Sequence, residues 1–246
     1  MSKLGDTYLW LYGKICGVHP NQHFWHFQWL PIYYLRKSYK RILPSYKGRI
    51  LDVGCGSKPY RHLFGPTEEY LGLDIYAGPE VDIIAEPDKP WPIPDHCFDV
   101  IFASQVLEHV ENLDDILKEM NRVLKVGGHL IMTFPFLYNE HGVPYDFRRF
   151  TKYNSDIKND DFNIIINETQ GGIFSTISSL FLNWQDDMIN NNFFLRFLRA
   201  ILLPIWIIYC VPINVLSVFL DKIDHTNRYY GNILIISEKI ADKATK

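Results

Sequence analysis

Between residues 49 and 134, short apolar runs alternate with stretches of helical character. Arg49 to Val53 (RILDV), Tyr70 to Asp74 (YLGLD), Val81 to Ala85 (VDIIA), Phe98 to Ala103 (FDVIFA) and His129 to Phe134 (HLIMTF) read as strands. Each is brief, rich in Ile, Val or Leu, and bounded by Gly, Pro or Asp. Leu113, Ile116, Leu117, Met120 and Leu124 recur at i, i+3, i+4, i+7 and i+11. That spacing predicts an amphipathic helix over Leu113 to Lys125. Asn112 is placed to cap it, Asp114 and Asp115 favour its first turn, and Gly127-Gly128 is expected to end it. Such alternation predicts a parallel sheet covered on both faces. Phe162 to Glu168 and Asn232 to Ser237 read as further strands. There is no internal repeat and no low-complexity tract.

Two flanks depart from this pattern. Residues 8 to 34 hold nine aromatics, among them Trp10, Trp25 and Trp29, interleaved with His19, His23 and His26. Residues 36 to 49 are basic. The second flank contains an uncharged run of 21 residues, Ala200 to Leu220, with Pro204 and Pro212 inside it. It is long enough to cross a bilayer. It also lies between two strands expected in one sheet, so a single crossing would separate them. A Pro-broken re-entrant hairpin or an interfacial helix over 193–220 is therefore expected, with Arg196, Arg199, Lys222 and Arg228 beside anionic head groups. A buried helical hairpin or a dimer interface is the soluble alternative.

Composition narrows the classes. In 246 residues, 47% are hydrophobic and 22% charged, which excludes a mainly disordered chain. A net charge of −3 and a pI near 6.3 argue against a nucleic-acid partner. Four cysteines without CxxC pairs exclude a zinc ribbon and a disulfide scaffold and suit a reducing compartment. No export signal is recognisable, so a cytoplasmic location is expected. The three N-terminal histidines lack a 2-His-carboxylate pattern, and no metal site is expected.

The strongest chemical signal is LDVGCG, Leu51 to Gly56, at the end of the first strand. A Gly-x-Gly turn there lets a ligand approach the backbone, although an ordinary tight turn has the same form. A dinucleotide fingerprint would place a third glycine at position 59, which is Pro59. Asp74 ends the next strand, 74 − 52 = 22 residues after Asp52. An acid at that tip is placed to accept hydrogen bonds from both hydroxyls of a ribose. A nucleoside-containing cofactor is the ligand class that follows.

LDVGCG, YLGLDI with Asp74, FDVIFASQVLEHV and LKEMNRVLKVGGHLIMTFP together resemble the class I S-adenosylmethionine-dependent methyltransferases over roughly Arg49 to Thr151. The resemblance implies an α/β fold: a doubly wound, Rossmann-like, seven-stranded sheet, mostly parallel with an antiparallel last strand. It implies S-adenosylmethionine as cofactor, with Asp52, Gly54, Cys55 and Gly56 along its methionine side. Asp74 would take the ribose hydroxyls, Ile75 would pack beside the adenine, Glu86 would face the adenine amino group, and Ser104 and Gln105 would flank the transferring methyl. The family's third glycine would fall at Lys58, a departure that affects the shape of the loop. Glu108 and His109 belong to a family-typical LEHV and are expected to be structural; Cys55 and Cys97 are expected to be small core or loop residues.

The segment FPFLYNEHGVPYDFRRFT, Phe134 to Thr151, resembles a branch common among bacterial surface-polysaccharide and cell-envelope enzymes, in which it adjoins the acceptor pocket. His141, with Asp146 second, is the candidate base. The expected organisation is an aromatic helical segment over residues 1–48 covering the cofactor site and a methyltransferase domain over 49–240. A hydrophobic helical insertion is expected over 175–228. The expected reaction is methylation of an oxygen on a glycan or lipid-linked acceptor at the cytoplasmic membrane face. The alternatives are a small lipophilic acceptor such as a quinone precursor, or a cofactor-binding module without turnover. Oligomeric state is left open.

Overall fold

The computed structural model describes residues 3–86, 89–153 and 161–240. Seven strands form one sheet: β1 (Gly48–Val53), β2 (Thr67–Asp74), β3 (Ile83–Ile84), β4 (Phe98–Ser104), β5 (Leu124–Pro135), β6 (Phe162–Gln170) and β7 (Asn232–Lys239). Their order is β3-β2-β1-β4-β5-β7-β6. β1 runs parallel to β2 and β4, β2 to β3 and β4 to β5, whereas β7 is antiparallel to β5. The mostly parallel, Rossmann-like sheet is therefore as expected. Its central strands are buried on both faces: Ile50, Leu51, Ile101, Phe102, Ile131 and Ile233 are each 1% exposed or less. That is why these strands read as continuous apolar runs.

The strand order reverses between β1 and β4. Ligands of open α/β sheets bind outside the carboxyl ends of the strands at such a reversal. Asp52 is registered with Phe102 and Val53 with Ala103, so the tips that lead to Gly54 and Ser104 are neighbours.

The connections differ from the expected alternation. Only a 3₁₀ turn, Arg61–Leu63, lies between β1 and β2, and among the described residues no α-helix separates β2 from β4. Pro59, Pro66, Pro79, Pro90, Pro92 and Pro94 fall in these segments, where proline removes backbone donors and blocks helix propagation. The expected helix forms as α3 (Leu113–Val123). Gly127-Gly128 does not end it. Leu124 is buried and passes directly into β5, and the two glycines sit in an irregularity where Phe98 pairs with Leu124 but Val100 with His129. Lys125 pins this bulge through an ion pair of 2.6 Å to Asp99. Asn112 caps no α3 amide; its side chain donates to Asp115 instead.

The chain divides into two compact units. One, Lys37–Phe136, Glu140–Thr169 and Asn232–Lys246, carries the sheet. The other, Met1–Arg36, Leu137–Asn139 and Gln170–Gly231, is helical. It contains α1 (Lys3–Cys16), α4 (Ile173–Asn190), α5 (Phe193–Ile201) and α6 (Leu203–Leu220), and α2 (Trp29–Ile42) begins in it.

Within the helical unit the uncharged run is not broken at Pro212, which lies inside a continuous α6. The break falls at Leu202, between α5 and α6, and Pro204 occupies the first turn of α6, where its missing N–H costs nothing. Tyr12 and Cys16 of α1 form a small core with Leu203, against which Trp25, Phe27, Trp206 and Ile207 pack. Asn214, fully buried in α6, donates to the carbonyls of Phe24 (2.8 Å) and His26 (2.9 Å). Tyr12, Trp25 and Phe27 of the N-terminal segment are thus packed on the hydrophobic insertion. The histidines beside them serve this packing: His26 stacks on Phe27 and His23 on Trp25, and burial lowers His26 to about 4.

These helices carry their polarity inside out. On α4 the buried positions are Ser175, Thr176, Ser179, Leu182 and Asn183, whereas Phe174, Ile177, Phe181, Trp184 and Met188 are exposed. On α6, Cys210, Asn214 and Ser217 face inward beside Leu203, and Ile205, Ile208, Leu216 and Phe219 are each more than half exposed. Ser217 Oγ donates to the Ile213 carbonyl and is 2.8 Å from Ser178 Oγ. Water favours the reverse arrangement; small and polar contacts between helices with apolar exteriors are the pattern found in lipid.

Candidate functional site

β1 delivers Asp52 to the strand tips, 3% exposed, where it accepts a 2.7 Å hydrogen bond from the Tyr70 hydroxyl. Gly54 follows at φ 67°, and a Cβ there would lie 2.4 Å from Val106 Cγ2. Only glycine combines that conformation with that approach. The amides of Gly54 and Cys55 donate to the Leu73 carbonyl at 2.8 and 3.2 Å, folding the loop onto the end of β2. Gly72 permits this contact, because a Cβ on it would sit 2.5 Å from both Cys55 Sγ and Lys58 Cε. Cys55, 2% exposed, is thus a packing residue of the loop, as its type predicts.

Lys58, where the family pattern has glycine, holds a left-handed conformation of its own at φ 50°. Its ammonium is buried and paired with Asp82, whose carboxylate also accepts from the Gly72 amide at 2.7 Å. An ion pair between a buried ammonium and an exposed carboxylate therefore fixes a turn that glycine would otherwise make freely. Asp82→Asn, by leaving that ammonium unpaired, is expected to lower stability by about 1–3 kcal/mol in urea unfolding. An unchanged midpoint would remove this role.

Beyond the loop the surface opens. A Cβ on Gly56 would meet nothing within 4 Å, and the Gly56 amide donates to Asp74 Oδ2 at 3.1 Å. Asp74 Oδ1 accepts from the Tyr76 amide at 3.2 Å. Ile75 and Tyr76 project as exposed apolar groups, 55% and 68% accessible. The Ala85 amide donates to the Asp74 carbonyl, which sets β3 beside β2 and brings Glu86 one residue further on. Glu86 is exposed and paired with Lys89; Pro87 and Asp88 lie outside the described residues.

On the neighbouring tip, Ser104 Oγ is 2.6 Å from the hydroxyl of Tyr39, which also bonds Thr133 Oγ1 at 2.7 Å. Tyr39, fully buried near the end of α2, meets Phe102 and Tyr60 edge-on. Sequence reasoning missed it, since one aromatic among many carries no distinguishing spacing. Gln105 takes φ 56°, and its buried Nε2 has no hydrogen-bond partner. A strained residue with an unsatisfied buried donor at the reversal of the sheet marks a place for a ligand's acceptor.

The segment after β5 builds a second cluster. Arg149 forks onto Asp146 with contacts of 2.5 and 2.7 Å, which holds that carboxyl at about 2. Asp146 Oδ2 also accepts from the His141 amide (2.9 Å) and lies 3.4 Å from His141 Nδ1. Asp146 is thus held by Arg149 and the His141 amide, with its carboxylate beside the His141 ring. His141 Nε2 is 3.8 Å from Glu108 Oε1, and His109 Nε2 is 3.9 Å from the same oxygen. Glu108 is fully buried, neither carboxylate oxygen has a hydrogen-bond partner, and burial pushes it up to about 8. Sequence reasoning took Glu108 and His109 as structural. The chain folds them onto His141, 32 residues on, through Phe147 N to Glu108 O (2.9 Å) and Arg148 donating to the carbonyls of Val110 and Glu111.

Residues 51–132 match the family model described as a methyltransferase domain. Over 124 residues the chain is 29% identical to the sterol 4-C-methyltransferase strm-1 of Caenorhabditis elegans, covering 44% of this chain and 34% of that protein. It is 31% identical over 114 residues to a malonyl-[acyl-carrier protein] O-methyltransferase of Legionella pneumophila, covering 40% and 39%. The chain thus spans little more than a third of the length of the curated relatives it matches. Among solved structures, the [4+2]-cyclase SpnF aligns with TM-score 0.53 at 16% identity over 86% of this chain and 82% of that one. A protein described as a methyltransferase in complex with the Haloferax volcanii Trm112 activator aligns at 0.50 and 15%, over 85% and 90%. These likenesses establish the fold; a cyclase and a methyltransferase sharing it means that the fold does not decide the reaction.

The match to a methyltransferase domain implies S-adenosylmethionine as cofactor, and the residues at the strand tips fit that molecule. The open face at Gly56, the half-exposed Asp74 carboxylate, the apolar Ile75 and Tyr76 and the orphaned Gln105 Nε2 offer a cradle, two acceptor oxygens, a stacking surface and a donor. The domain also predicts a pH signature. Burial, aided by Asp74, raises Asp52 to about 7 from an ordinary value of 3.8. The folded protein therefore retains a proton that the unfolded chain has already released. Stability from this group is greatest below about pH 4 and falls as pH rises toward 7, beyond which it is flat. Melting temperatures across pH 4–8 are expected to show that fall, and Asp52→Asn to flatten it; equal slopes in both proteins would overturn the assignment.

Proposed function

We propose that the chain is an S-adenosylmethionine-dependent methyltransferase that methylates an oxygen of a glycan or lipid-linked cell-envelope acceptor. We place it as a peripheral protein on the cytoplasmic face of a membrane. When bound, the cofactor supplies an electrophilic methyl on a sulfonium centre. Asp74 holds the ribose hydroxyls, Asp52 and the Gly54–Gly56 loop border the methionine end, and Ile75 flanks the adenine. Glu86 has the same assignment from the family pattern, at the adenine amino group. Ser104 and Gln105 border the reacting end, where Tyr39 fixes the Ser104 hydroxyl. An oxygen acceptor must lose a proton, which calls for a basic group within reach. His141, oriented by Asp146 and Arg149, supports that role.

The single observation that carries the membrane part is the inverted polarity of α4 and α6, whose exposed faces are largely apolar while Ser175, Thr176, Ser179, Asn183, Asn214 and Ser217 face inward. The sterol and ubiquinone/menaquinone methyltransferases among the relatives favour a second reading, a small lipophilic acceptor.

Incubation with methyl-labelled cofactor and separately extracted glycolipids, quinones and soluble glycans decides between these acceptors. Label in the glycolipid or glycan fraction is expected. Label only in quinones selects the second reading, and label in no fraction selects a binding module without turnover. His141→Ala is expected to cut methyl transfer at least about 100-fold while leaving cofactor affinity within about twofold. A parallel loss of cofactor binding would remove His141 from the acceptor side.

A further inference from the structure

Three acceptor atoms converge where β4 and β5 hand over to their loops: Oε1 of Glu108 and Nε2 of His109 and of His141. Taken as one ligand atom from each residue, all lie within 4.8 Å of one another, with the carboxylate 3.8 Å from one imidazole and 3.9 Å from the other. We propose that Glu108, His109 and His141 form a binding site for a first-row divalent cation.

The orientation of the imidazoles argues for a cation as much as their proximity. His109 Nδ1 is 2.5 Å from the Tyr145 carbonyl oxygen, and His141 Nδ1 faces Asp146 Oδ2 at 3.4 Å. A backbone carbonyl and a carboxylate are the groups to which metal-bound histidines usually give their second N–H, which fixes the tautomer with Nε2 as the ligating atom. Both rings are thereby set with Nε2 lone pairs toward the same carboxylate oxygen. The two rings meet edge to face at 4.7 Å, so neither occludes the other.

Glu108 supplies the second, independent observation. Its side chain is fully buried, and neither oxygen receives a hydrogen bond. A buried carboxylate without donors is costly unless a proton or a cation balances it. The guanidinium in its neighbourhood, Arg149, is already forked onto Asp146. Two imidazoles and one carboxylate are a borderline donor set suited to zinc, iron, cobalt or nickel rather than magnesium or calcium. Bonds of about 2.1 Å to one tetrahedral ion place ligand atoms about 3.4 Å apart, so loading would draw each imidazole about 0.4–0.5 Å closer to the carboxylate and close the imidazole pair from within 4.8 Å. Both histidines are about a third exposed (29% and 32%) while Glu108 is sealed behind them. The ion is held from the protein side and keeps open positions toward solvent, as sites that bind an exogenous oxygen do. This goes beyond methyl transfer: an ion bound here would take up the Nε2 lone pair of His141, so His141 can act as a base only in the metal-free protein.

The test uses untagged full-length protein, stripped with chelator and titrated with Co(II) and Zn(II) in the absence of cofactor. One Co(II) per chain with visible d–d bands is expected, displaced by Zn(II). Glu108→Gln and His109→Ala are each expected to weaken Co(II) binding at least about 100-fold, and Asp146→Asn by about 10- to 100-fold. His225→Ala, at an exposed histidine elsewhere, is expected to change nothing. Imidazole nitrogen NMR on the unsubstituted protein provides a reading independent of variant folding, with the Nε2 signals of His109 and His141 moving on Zn(II) addition. No d–d bands, binding indifferent to the ligand substitutions, or Nε2 signals that ignore Zn(II) would each overturn the proposal. Cofactor binding, measured separately by calorimetry, keeps this outcome distinct from that of the methyltransferase reading.

Discussion

Replacing Ile205, Ile208, Leu216 and Phe219 with serine is expected to release the protein from anionic phospholipid vesicles, with a loss of partitioning of at least about 100-fold in flotation assays. Each of these α6 side chains is more than half exposed, so the substitutions remove little internal packing. Each full transfer of such a side chain out of water is worth about 1.5–3 kcal/mol, and even partial immersion of four exceeds the required difference. The segment Leu203–Ile223 has a mean hydropathy of 2.1 and is long enough to cross a bilayer, yet 28% of its most apolar window is buried within the protein. Its inward face holds Asn214 and Ser217, which have partners in the N-terminal loop and in α4. A helix fastened in this way fits lying in the interface better than crossing alone. Cofactor affinity measured on the same variant should be unchanged. If the unsubstituted protein stays with the soluble fraction in the presence of vesicles, membrane attachment is wrong and the apolar faces belong to another partner.

Asp74→Ala is expected to weaken S-adenosylmethionine binding by roughly 100- to 1000-fold in calorimetry, the equivalent of losing two charge-assisted hydrogen bonds. The carboxylate closes the far side of the loop by accepting from the Gly56 and Tyr76 amides, and it stands at the tip of β2 beside exposed apolar side chains. Both amides can turn to water when it is removed, so the melting temperature should move little. Asp74→Asn, which keeps the acceptor oxygen but not the charge, should fall between the two. Equal affinity in Asp74→Ala and the unsubstituted protein would mean that the ribose is held elsewhere.

The parallel sheet was legible because its strands are apolar on both faces, and the places of Asp52, Gly54 and Asp74 at the strand tips because short-range chain geometry sets them. Lys58 shows where that legibility ends: its left-handed turn depends on an ion pair to Asp82, a partner 24 residues away that no local pattern announces. Gly127-Gly128 misled because the same dipeptide serves a helix end or a bulge, and the choice was made by burial of Leu124 and the Lys125–Asp99 pair. For Glu108 and His109 the family-typical context pointed to a structural role, and only the return of the chain through His141 to Arg149 gives the buried carboxyl its company. In α4 and α6 the composition announced something unusual, but which face pointed outward depended on tertiary packing.

The carboxamide of Asn214 has a consequence for motion. It ties the middle of α6 to two carbonyls of the loop, those of Phe24 and His26 on either side of Trp25, residues some 190 positions away in the chain. Helix and loop therefore shift as one body, and any surface that takes hold of α6 also takes hold of the aromatic N-terminal segment. Attachment and detachment are then felt at the opposite end of the sequence, through Asn214 and the core that Tyr12 and Cys16 share with Leu203.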